Sequence, residues 1–202
     1  MADVLLFHHV QGLTDGLLAF AEQLGGAGHT VRTPDLFEGE RPPTLEDGIA
    51  FVQGVGDEVL GQRAARVVAD LPEGLVYAGF SWGGALAQRY AQTRPGARGA
   101  LLYDACLPLT GEWAFGPWPE GVPVQIHGMD QDPFFALEGD LAAARELVDT
   151  VGPELGELFV YPGDRHLFAD SSLPSYDADA AALLVQRSRR LLDRVDGAAP
   201  AS

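Results

Sequence analysis

A serine enclosed by glycines is the residue best suited to act as a nucleophile. Residues 74–90 read Gly-Leu-Val-Tyr-Ala-Gly-Phe-Ser-Trp-Gly-Gly-Ala-Leu-Ala-Gln-Arg-Tyr and contain the pattern Gly79-x-Ser81-x-Gly83. The apolar run before the serine is typical of a buried parallel strand, and helix-forming residues follow from Ala85 onward. A sharp strand-to-helix turn leaves no room for a Cβ two residues to either side of the serine. The spacing therefore predicts a catalytic Ser81 at a helix N-terminus, where N–H groups stabilise developing negative charge.

A serine hydroxyl needs a base that removes its proton, and the base needs a carboxylate that fixes its tautomer. Two histidines, His127 and His166, follow Ser81 in the chain. His127 lies within an apolar stretch and is predicted to be a packed core residue. His166 lies in a loop after the last predicted strand, so we predict it to be the general base.

Three aspartates are candidates for the carboxylate. Asp130 and Asp132 share the loop after the strand that ends at His127, and Asp104, after the preceding strand, is a weaker candidate. Two neighbouring carboxylates repel each other, so only one of Asp130 and Asp132 should face the histidine. The residues by themselves leave the choice between these two open.

Alternating strands and helices are predicted to position these groups. Apolar runs between turn residues predict strands over residues 3–8, 30–34, 75–80, 97–103, 122–127 and 157–161. Besides the helix after Ser81, helices are predicted from Thr14 or Asp15 to Gly25–Gly26, over residues 44–71 in one or two pieces interrupted near Gly54 and Gly56, and over residues 137–150 and 174–195. This alternation is typical of a mostly parallel sheet with helices on both faces, and catalytic groups then lie beyond the carboxyl ends of the strands. We expect a single domain over residues 1–202, with a flexible tail at about 197–202.

Composition argues against several functional classes. A net charge of −16 argues against a nucleic-acid partner, because phosphate contacts need a basic surface. No apolar run reaches the roughly 20 residues of a membrane-spanning helix, so no membrane association is predicted. The single Cys106 and an N-terminus that reads as a first strand favour a cytoplasmic location. His8, His9 and His127 lack the close spacing of metal ligands, and no metal site is predicted.

The chain resembles the dienelactone hydrolase family over nearly its whole length. The resemblance rests on Val4-Leu-Leu-Phe-His8 with Gly12-Leu-Thr-Asp15, Thr33-Pro-Asp-Leu-Phe37, Gly79-Phe-Ser-Trp-Gly-Gly84, and His166-Leu-Phe168 after Tyr-Pro-Gly. It implies an α/β-hydrolase fold without a large lid domain, a triad in the chain order nucleophile, acid, histidine, and no cofactor. Gln131-Asp132 and Phe134 fall on the Gln-Asp and aromatic of the family's acid loop when no gap is opened. The resemblance therefore favours Asp132 over Asp130.

Three departures from the family pattern limit what the resemblance implies. The namesake enzymes have a cysteine where this chain has Ser81, a glutamate where it has His9, and an arginine where it has Asp170. A substrate switch based on that glutamate is therefore not expected. The charge of Asp170 is expected to repel a substrate that bears a carboxylate, such as dienelactone.

The resemblance also implies how the rest of the site is built. The backbone N–H groups of Val10 and Trp82 are expected to form the oxyanion hole, without a chemical role for either side chain. Candidate residues for a substrate pocket are His9, Gln11, Trp113, Phe115, Trp118, Phe134 and Phe135. Aromatic side chains in such loops serve equally often as plain packing.

The sequence thus predicts a serine hydrolase that cleaves a small neutral or apolar carboxylic ester or lactone through an acyl-enzyme. It is expected to act as a monomer or weak homodimer. One alternative is acyl transfer to an acceptor other than water, or thioester hydrolysis, on the same triad. Another is a non-catalytic ligand-binding protein that kept the fold.

Overall fold

A parallel sheet forms the centre of the molecule. The computed structural model describes residues 1–26 and 28–197. Its strands are β1 Asp3–Phe7, β2 Thr30–Arg32, β3 Val76–Phe80, β4 Gly99–Tyr103, β5 Val124–Met129 and β6 Gly156–Tyr161. They lie in the order β2-β1-β3-β4-β5-β6, and every neighbouring pair is parallel. All carboxyl ends therefore meet at one edge of the sheet, which we call the rim.

Helices cover both faces of this sheet, because strands β3, β4 and β5 are buried along their whole length and need apolar cover on each side. The helices are α1 Asp15–Gly25, α2 Leu45–Val55, α3 Asp57–Ala69, α4 Trp82–Thr93, α5 Asp140–Val151 and α6 Ala178–Gly197. On one face, Leu17 of α1 and Leu184 of α6 pack against Leu6 of β1. On the other face, the core side chains come from α2 to α5. The arrangement confirms the predicted α/β fold with a mostly parallel sheet.

The stretch 44–71 forms two helices that meet at Gly56, where an interruption was predicted, because Gly56 adopts a φ of +90° that no helix continues through. Other element boundaries differ from the prediction. Helix α4 begins at Trp82, directly after the nucleophile candidate, and not at Ala85. Helix α6 begins at Ala178 and includes Gly197, so the remainder of the predicted flexible tail, residues 198–202, lies outside the described residues. Over the described ranges, no helix combines the length and the apolar character that crossing a bilayer requires.

Candidate active site

The turn after β3 holds Ser81 in a strained conformation. Its φ of 51° and ψ of −116° lie outside the regions that residues with a side chain favour. The two glycines of the pattern make this possible by removing Cβ atoms: one added at Gly79 would lie 2.0 Å from the carbonyl oxygen of Gly83, and one added at Gly83 would lie 2.4 Å from that of His8. The Ser81 N–H donates to Tyr103 O of β4 at 2.7 Å, so the turn is fixed to the neighbouring strand.

Three side chains from distant parts of the chain meet at the rim. The Ser81 hydroxyl lies 2.8 Å from His166 Nε2, and His166 Nδ1 lies 2.7 Å from Asp132 Oδ2. A carboxylate only accepts, so Nδ1–H donates to Asp132 and Nε2 is free to accept the proton of Ser81. The other carboxylate oxygen of Asp132 accepts the N–H groups of Phe134 at 2.8 Å and Phe135 at 3.3 Å, which fixes the carboxylate toward the histidine.

The other two aspartate candidates have different surroundings. Asp130 is exposed and accepts a hydrogen bond from the N–H of Gly163 at 2.9 Å, so it caps the start of the loop that carries His166. Asp104 is buried one residue beyond β4 and makes no hydrogen bond to His166. The structure therefore brings Asp132 to His166 and leaves Asp130 and Asp104 out of that contact.

The electrostatic surroundings of His166 suit a general base. Its side chain is 7% exposed, and burial disfavours the charged ring. The hydrogen bond to Asp132 and the charges of Asp104, Asp132 and Asp140 outweigh that effect, so the pKa of His166 is raised above its usual 6.5. A base whose pKa lies near the working pH transfers protons most efficiently.

The two amides predicted for the oxyanion hole lie in the predicted segments. Trp82 is the first residue of α4, whose N-terminal N–H groups have no partner within the helix. Val10 follows β1 in a loop whose course is fixed by Gly12, whose N–H donates to His9 O at 3.0 Å. Within residues 1–26 and 28–197, neither the Val10 nor the Trp82 amide donates a hydrogen bond. Both N–H groups are therefore available to donate a hydrogen bond to a ligand.

A glycine of α2 supports the Val10 loop from behind. A Cβ at Gly48 would lie 2.4 Å from Val10 O and 2.9 Å from Val10 Cγ2. Real Cβ atoms do not approach a backbone oxygen this closely, so only glycine allows α2 to pack against the loop. Gly54, one helix turn and a half further along α2, faces open space.

His9 and Asp170 form a second buried histidine–aspartate pair. His9 Nδ1 accepts the N–H of Gln11 at 3.2 Å, so Nε2–H donates to Asp170 Oδ2 at 2.9 Å. Asp170 also accepts hydrogen bonds from the Thr14 hydroxyl and from the N–H and hydroxyl of Ser172. Burial works against the charge of Asp170, but these hydrogen bonds outweigh it and lower the pKa of Asp170 to about 2.

Asp170 is 1% exposed, and four donors hold its carboxylate inside the protein. A hydrogen-bonded carboxylate keeps its charge, so the predicted repulsion of an anionic substrate stays a prediction. His9 is fully buried in the same contact, which leaves its side chain no exposed surface toward a substrate pocket. The sequence held one signal for this pair: His9 stands in place of the family's glutamate, and Asp170 in place of its arginine.

His8 beside it is a structural residue that the sequence did not reveal. Its Nδ1–H donates to His9 O at 2.8 Å, and its Nε2 accepts the N–H of Leu36 at 3.0 Å. Burial lowers the pKa of His8 to about 4, so the ring is neutral near pH 7. His127 is also fully buried, between Tyr161 Oη and Gln125 Oε1 at 2.8 Å each, in agreement with the core position predicted for it.

A cavity of about 300 Å³ opens beside His166. It is lined by Gln11, Pro43, Thr44, Leu45, His166, Leu167, Leu173, Pro174 and Ser175. The lining is mainly aliphatic, and its polar groups are short and uncharged except for the imidazole. Such a cavity accommodates a small apolar group next to the reacting atoms.

The aromatic residues proposed for the pocket have varied positions. The ring of Phe134 contacts that of His166 at a tilt of 47°, with ring centroids 4.8 Å apart. Trp118 is a core residue whose indole N–H donates to Val122 O at 2.8 Å, and Phe135 is also buried in the core. Trp113 is 70% exposed and lines a different depression, beside Cys106. The structure therefore does not bring Trp118, Phe135 or Trp113 to the cavity beside His166, because tertiary packing directs these rings elsewhere. Phe115 is half-buried and does not line the cavity.

No set of three or more side chains that could jointly hold a metal ion occurs within residues 1–26 and 28–197. The histidines considered for such a site, His8, His9 and His127, each use both ring nitrogens in hydrogen bonds to protein atoms.

Comparisons with solved structures agree with this architecture. A dienelactone hydrolase-like promiscuous phosphotriesterase, P91, from metagenomic libraries superposes with a TM-score of 0.74 at 18% identity, over 96% of this chain and 87% of that chain. The protein m3DLH gives a TM-score of 0.73 at 21% identity, over 96% of this chain and 86% of that chain. TT1662 from Thermus thermophilus gives a TM-score of 0.63 at 18% identity, over 98% of this chain and 90% of that chain. At these identities the superpositions establish the α/β-hydrolase fold.

Sequence comparison gives the family. A search of curated proteins returned no significant match. The sequence model of the dienelactone hydrolase family, in contrast, matches residues 2–195, which is nearly the whole chain. The chain therefore belongs to the dienelactone hydrolase family, a family of enzymes that hydrolyse carboxylic esters.

Proposed function

We propose that this protein hydrolyses small, uncharged or apolar carboxylic esters or lactones through an acyl-enzyme on Ser81. The observation that carries the proposal is the unbroken series of contacts from the Ser81 hydroxyl through His166 to Asp132. A serine with a hydrogen-bonded base, itself held by a carboxylate, is the arrangement that activates a hydroxyl for attack on a carbonyl carbon.

In the first half of the reaction, His166 Nε2 takes the proton of Ser81 as the oxygen attacks the carbonyl. The tetrahedral oxyanion rests on the N–H groups of Val10 and Trp82, which have no other acceptor among the described residues. The imidazolium then gives its proton to the leaving alcohol. In the second half, water attacks the acyl-enzyme, with the same histidine as base.

The cavity beside His166 supports the choice of substrate class. Its volume of about 300 Å³ and its aliphatic lining favour a short apolar acyl or alcohol group. A substrate carboxylate would find no arginine or lysine among the lining residues and would lose its hydration on entry. We therefore propose neutral esters and lactones, and not dienelactone, as substrates.

The partner we propose is accordingly a small molecule and not a nucleic acid or a membrane, with the protein acting as a cytoplasmic monomer or weak homodimer. A net charge of −16 supports the exclusion of nucleic acid. Gel filtration with light scattering over a range of concentrations tests the assembly.

The test of the mechanism is the replacement Ser81→Ala, assayed with p-nitrophenyl acetate. Turnover should fall to the background rate while the melting temperature stays near that of the wild type. Ser171→Ala, which changes an exposed serine on another loop, is the matched control and should keep full activity. Turnover retained by Ser81→Ala would falsify the mechanism.

Two further assays separate the alternatives. A fluorophosphonate probe should label the wild-type protein at Ser81, whereas a ligand-binding protein without catalysis would stay unlabelled. Acyl transfer is tested by adding an alcohol or thiol during turnover: a hydrolase releases mainly the free acid, and a transferase makes mainly the new ester or thioester.

A further inference from the structure

A buried carboxyl at the rim takes no part in the contacts described so far. Asp104 follows β4 directly, is 2% exposed, and neither of its side-chain oxygens accepts a hydrogen bond within residues 1–26 and 28–197. An isolated carboxylate removed from water in this way is costly, and proteins keep such a group rarely. The presence of a buried carboxyl at Asp104 therefore requires a physical explanation.

The position of Asp104 ties it to the catalytic parts of the rim. Its N–H donates to His127 O on β5 at 2.8 Å, and the carbonyl of the preceding Tyr103 accepts the N–H of Ser81. Asp104 therefore lies between the strand end that carries the nucleophile and the strand end that leads to Asp132. The groups that face it are His166, Asp132, Tyr161 and the backbone of Leu167.

Backbone strain marks the same place. Four non-glycine residues with positive φ occur in the described ranges, and three of them are Ser81 at 51°, Asp104 at 53° and Leu167 at 60°. Such conformations are unfavourable and persist where the surrounding structure determines them. The strained residues thus include Ser81, Asp104 and Leu167, which directly follows His166.

From this placement we infer that Asp104 is a positioning residue for His166, a second carboxyl whose negative charge supports the imidazolium formed when Ser81 loses its proton. The inference rests on the proposed function for its catalytic consequence. In that step the proton leaves Ser81 Oγ for His166 Nε2, Asp132 keeps the Nδ1–H hydrogen bond, and Asp104 contributes charge without a proton transfer of its own.

The titration behaviour of the two groups agrees with this role. Burial raises the pKa of Asp104 to about 7, the charge of His166 and the nearby backbone N–H of Leu167 lower it, and the charge of Asp132 raises it. The charge of Asp104 is in turn one of the causes that raise the pKa of His166. The protonation of each group therefore depends on the charge of the other, and the support for the imidazolium is complete only where Asp104 is ionised, above about pH 7.

The test is a direct titration of the His166 ring by NMR of protein with ¹⁵N-labelled histidine, which does not depend on catalysis. The His166 signals are assigned by their absence in His166→Gln. In Asp104→Asn the midpoint of the His166 titration should move to lower pH by about one pH unit. Asp104→Gly, which suits a φ of 53° and removes the carboxyl, should give the same movement if the Asn variant fails to fold.

Asp164→Asn is the matched control, because Asp164 lies two residues from His166 but is exposed to water. Its titration midpoint for His166 should equal that of the wild type. An unchanged midpoint in both Asp104 variants overturns the inference, and so does an equal movement in Asp164→Asn.

Kinetics give the second readout. The ratio of kcat/KM in Asp104→Asn to that in the wild type should be about 0.1 at pH 8 and should rise toward 1 as the pH falls to 6, because the wild type loses the charge of Asp104 over that range. A residue with a merely structural role would lower kcat/KM equally at both pH values. If Ser81→Ala keeps turnover while the NMR midpoint moves, the proposed function fails and the coupling of Asp104 to His166 stands.

Discussion

His9 Nε2 lies 2.9 Å from Asp170 Oδ2, and this contact joins the loop after β1 to the loop that carries His166. The first loop contains Val10, and the second holds His166 four residues before Asp170. Gly16 allows the contact, because a Cβ there would lie 1.8 Å from Asp170 Oδ1. The N-terminus of α1 thus receives the carboxylate, which its dipole favours. The pair holds the two loops in one relative position.

Replacing Asp170 by Asn should destabilise the protein by about 2 kcal/mol at pH 7, because the pKa of Asp170 lies well below its unfolded value. A carboxyl with a lowered pKa stabilises the folded state above the unfolded pKa, and this stabilisation is lost as the pH falls through about 2. Urea unfolding should therefore show a wild-type advantage that is constant above pH 5 and shrinks below pH 4. An advantage that grew on acidification would contradict this account.

Asp132 and Asp130 offer a matched pair of substitutions two residues apart. Asp132→Asn keeps the acceptor for Phe134 N–H but presents an amide to His166 Nδ1, which favours the wrong tautomer, so kcat should fall by about 10⁴. Asp130→Asn keeps an oxygen for the Gly163 N–H and should leave kcat near the wild-type value. Steady-state kinetics on p-nitrophenyl acetate measure both. Equal losses in the two variants would remove Asp132 from the proposed mechanism.

Gly48 and Gly54 test the support of the oxyanion loop. Gly48→Ala forces Val10 to move, because of the 2.4 Å approach to its carbonyl oxygen, and kcat should fall by about 10²-fold with a smaller change in KM. Gly54→Ala, in open space on the same helix, should keep kcat and stabilise the protein by roughly 1 kcal/mol. A Gly48→Ala enzyme with normal kcat would show that the Val10 amide is not needed.

Leu173 tests the substrate cavity. Leu173→Trp fills part of the space of about 300 Å³, so KM for p-nitrophenyl hexanoate should rise by about tenfold or more while the acetate is little affected. Leu183→Trp is the control, since Leu183 is an exposed residue of α6 that does not line the cavity. An equal effect on acetate and hexanoate would assign Leu173 to general packing.

Much of this fold was predictable because its signals are local. The glycines around Ser81 report a turn that only a missing Cβ allows, and the apolar runs of β3, β4 and β5 report strands buried on both faces. His166 was predictable for the same reason: few histidines follow the serine, and one of the two lies in an apolar strand.

The remaining features depend on contacts that sequence spacing does not encode. Asp132 and Asp130 are equally polar loop residues, and the direction of each side chain is set by the turn after β5. Trp118 lies in the core, where Val122 O accepts its indole N–H. The partner of Asp170 lies 161 residues away, so sequence spacing does not show that its carboxylate is buried. In each of these cases the residue type could be interpreted from the sequence, but the direction of its side chain could not be predicted.

Six of the nine residues that line the cavity come from two short stretches, residues 43–45 and 173–175, which contain none of Ser81, His166, Asp132, Val10 and Trp82. Substitution of a few aliphatic side chains in these stretches can therefore change which esters fit and leaves the residues proposed for bond cleavage unchanged. Paralogues that share this rim would be free to differ in substrate specificity while they catalyse the same reaction.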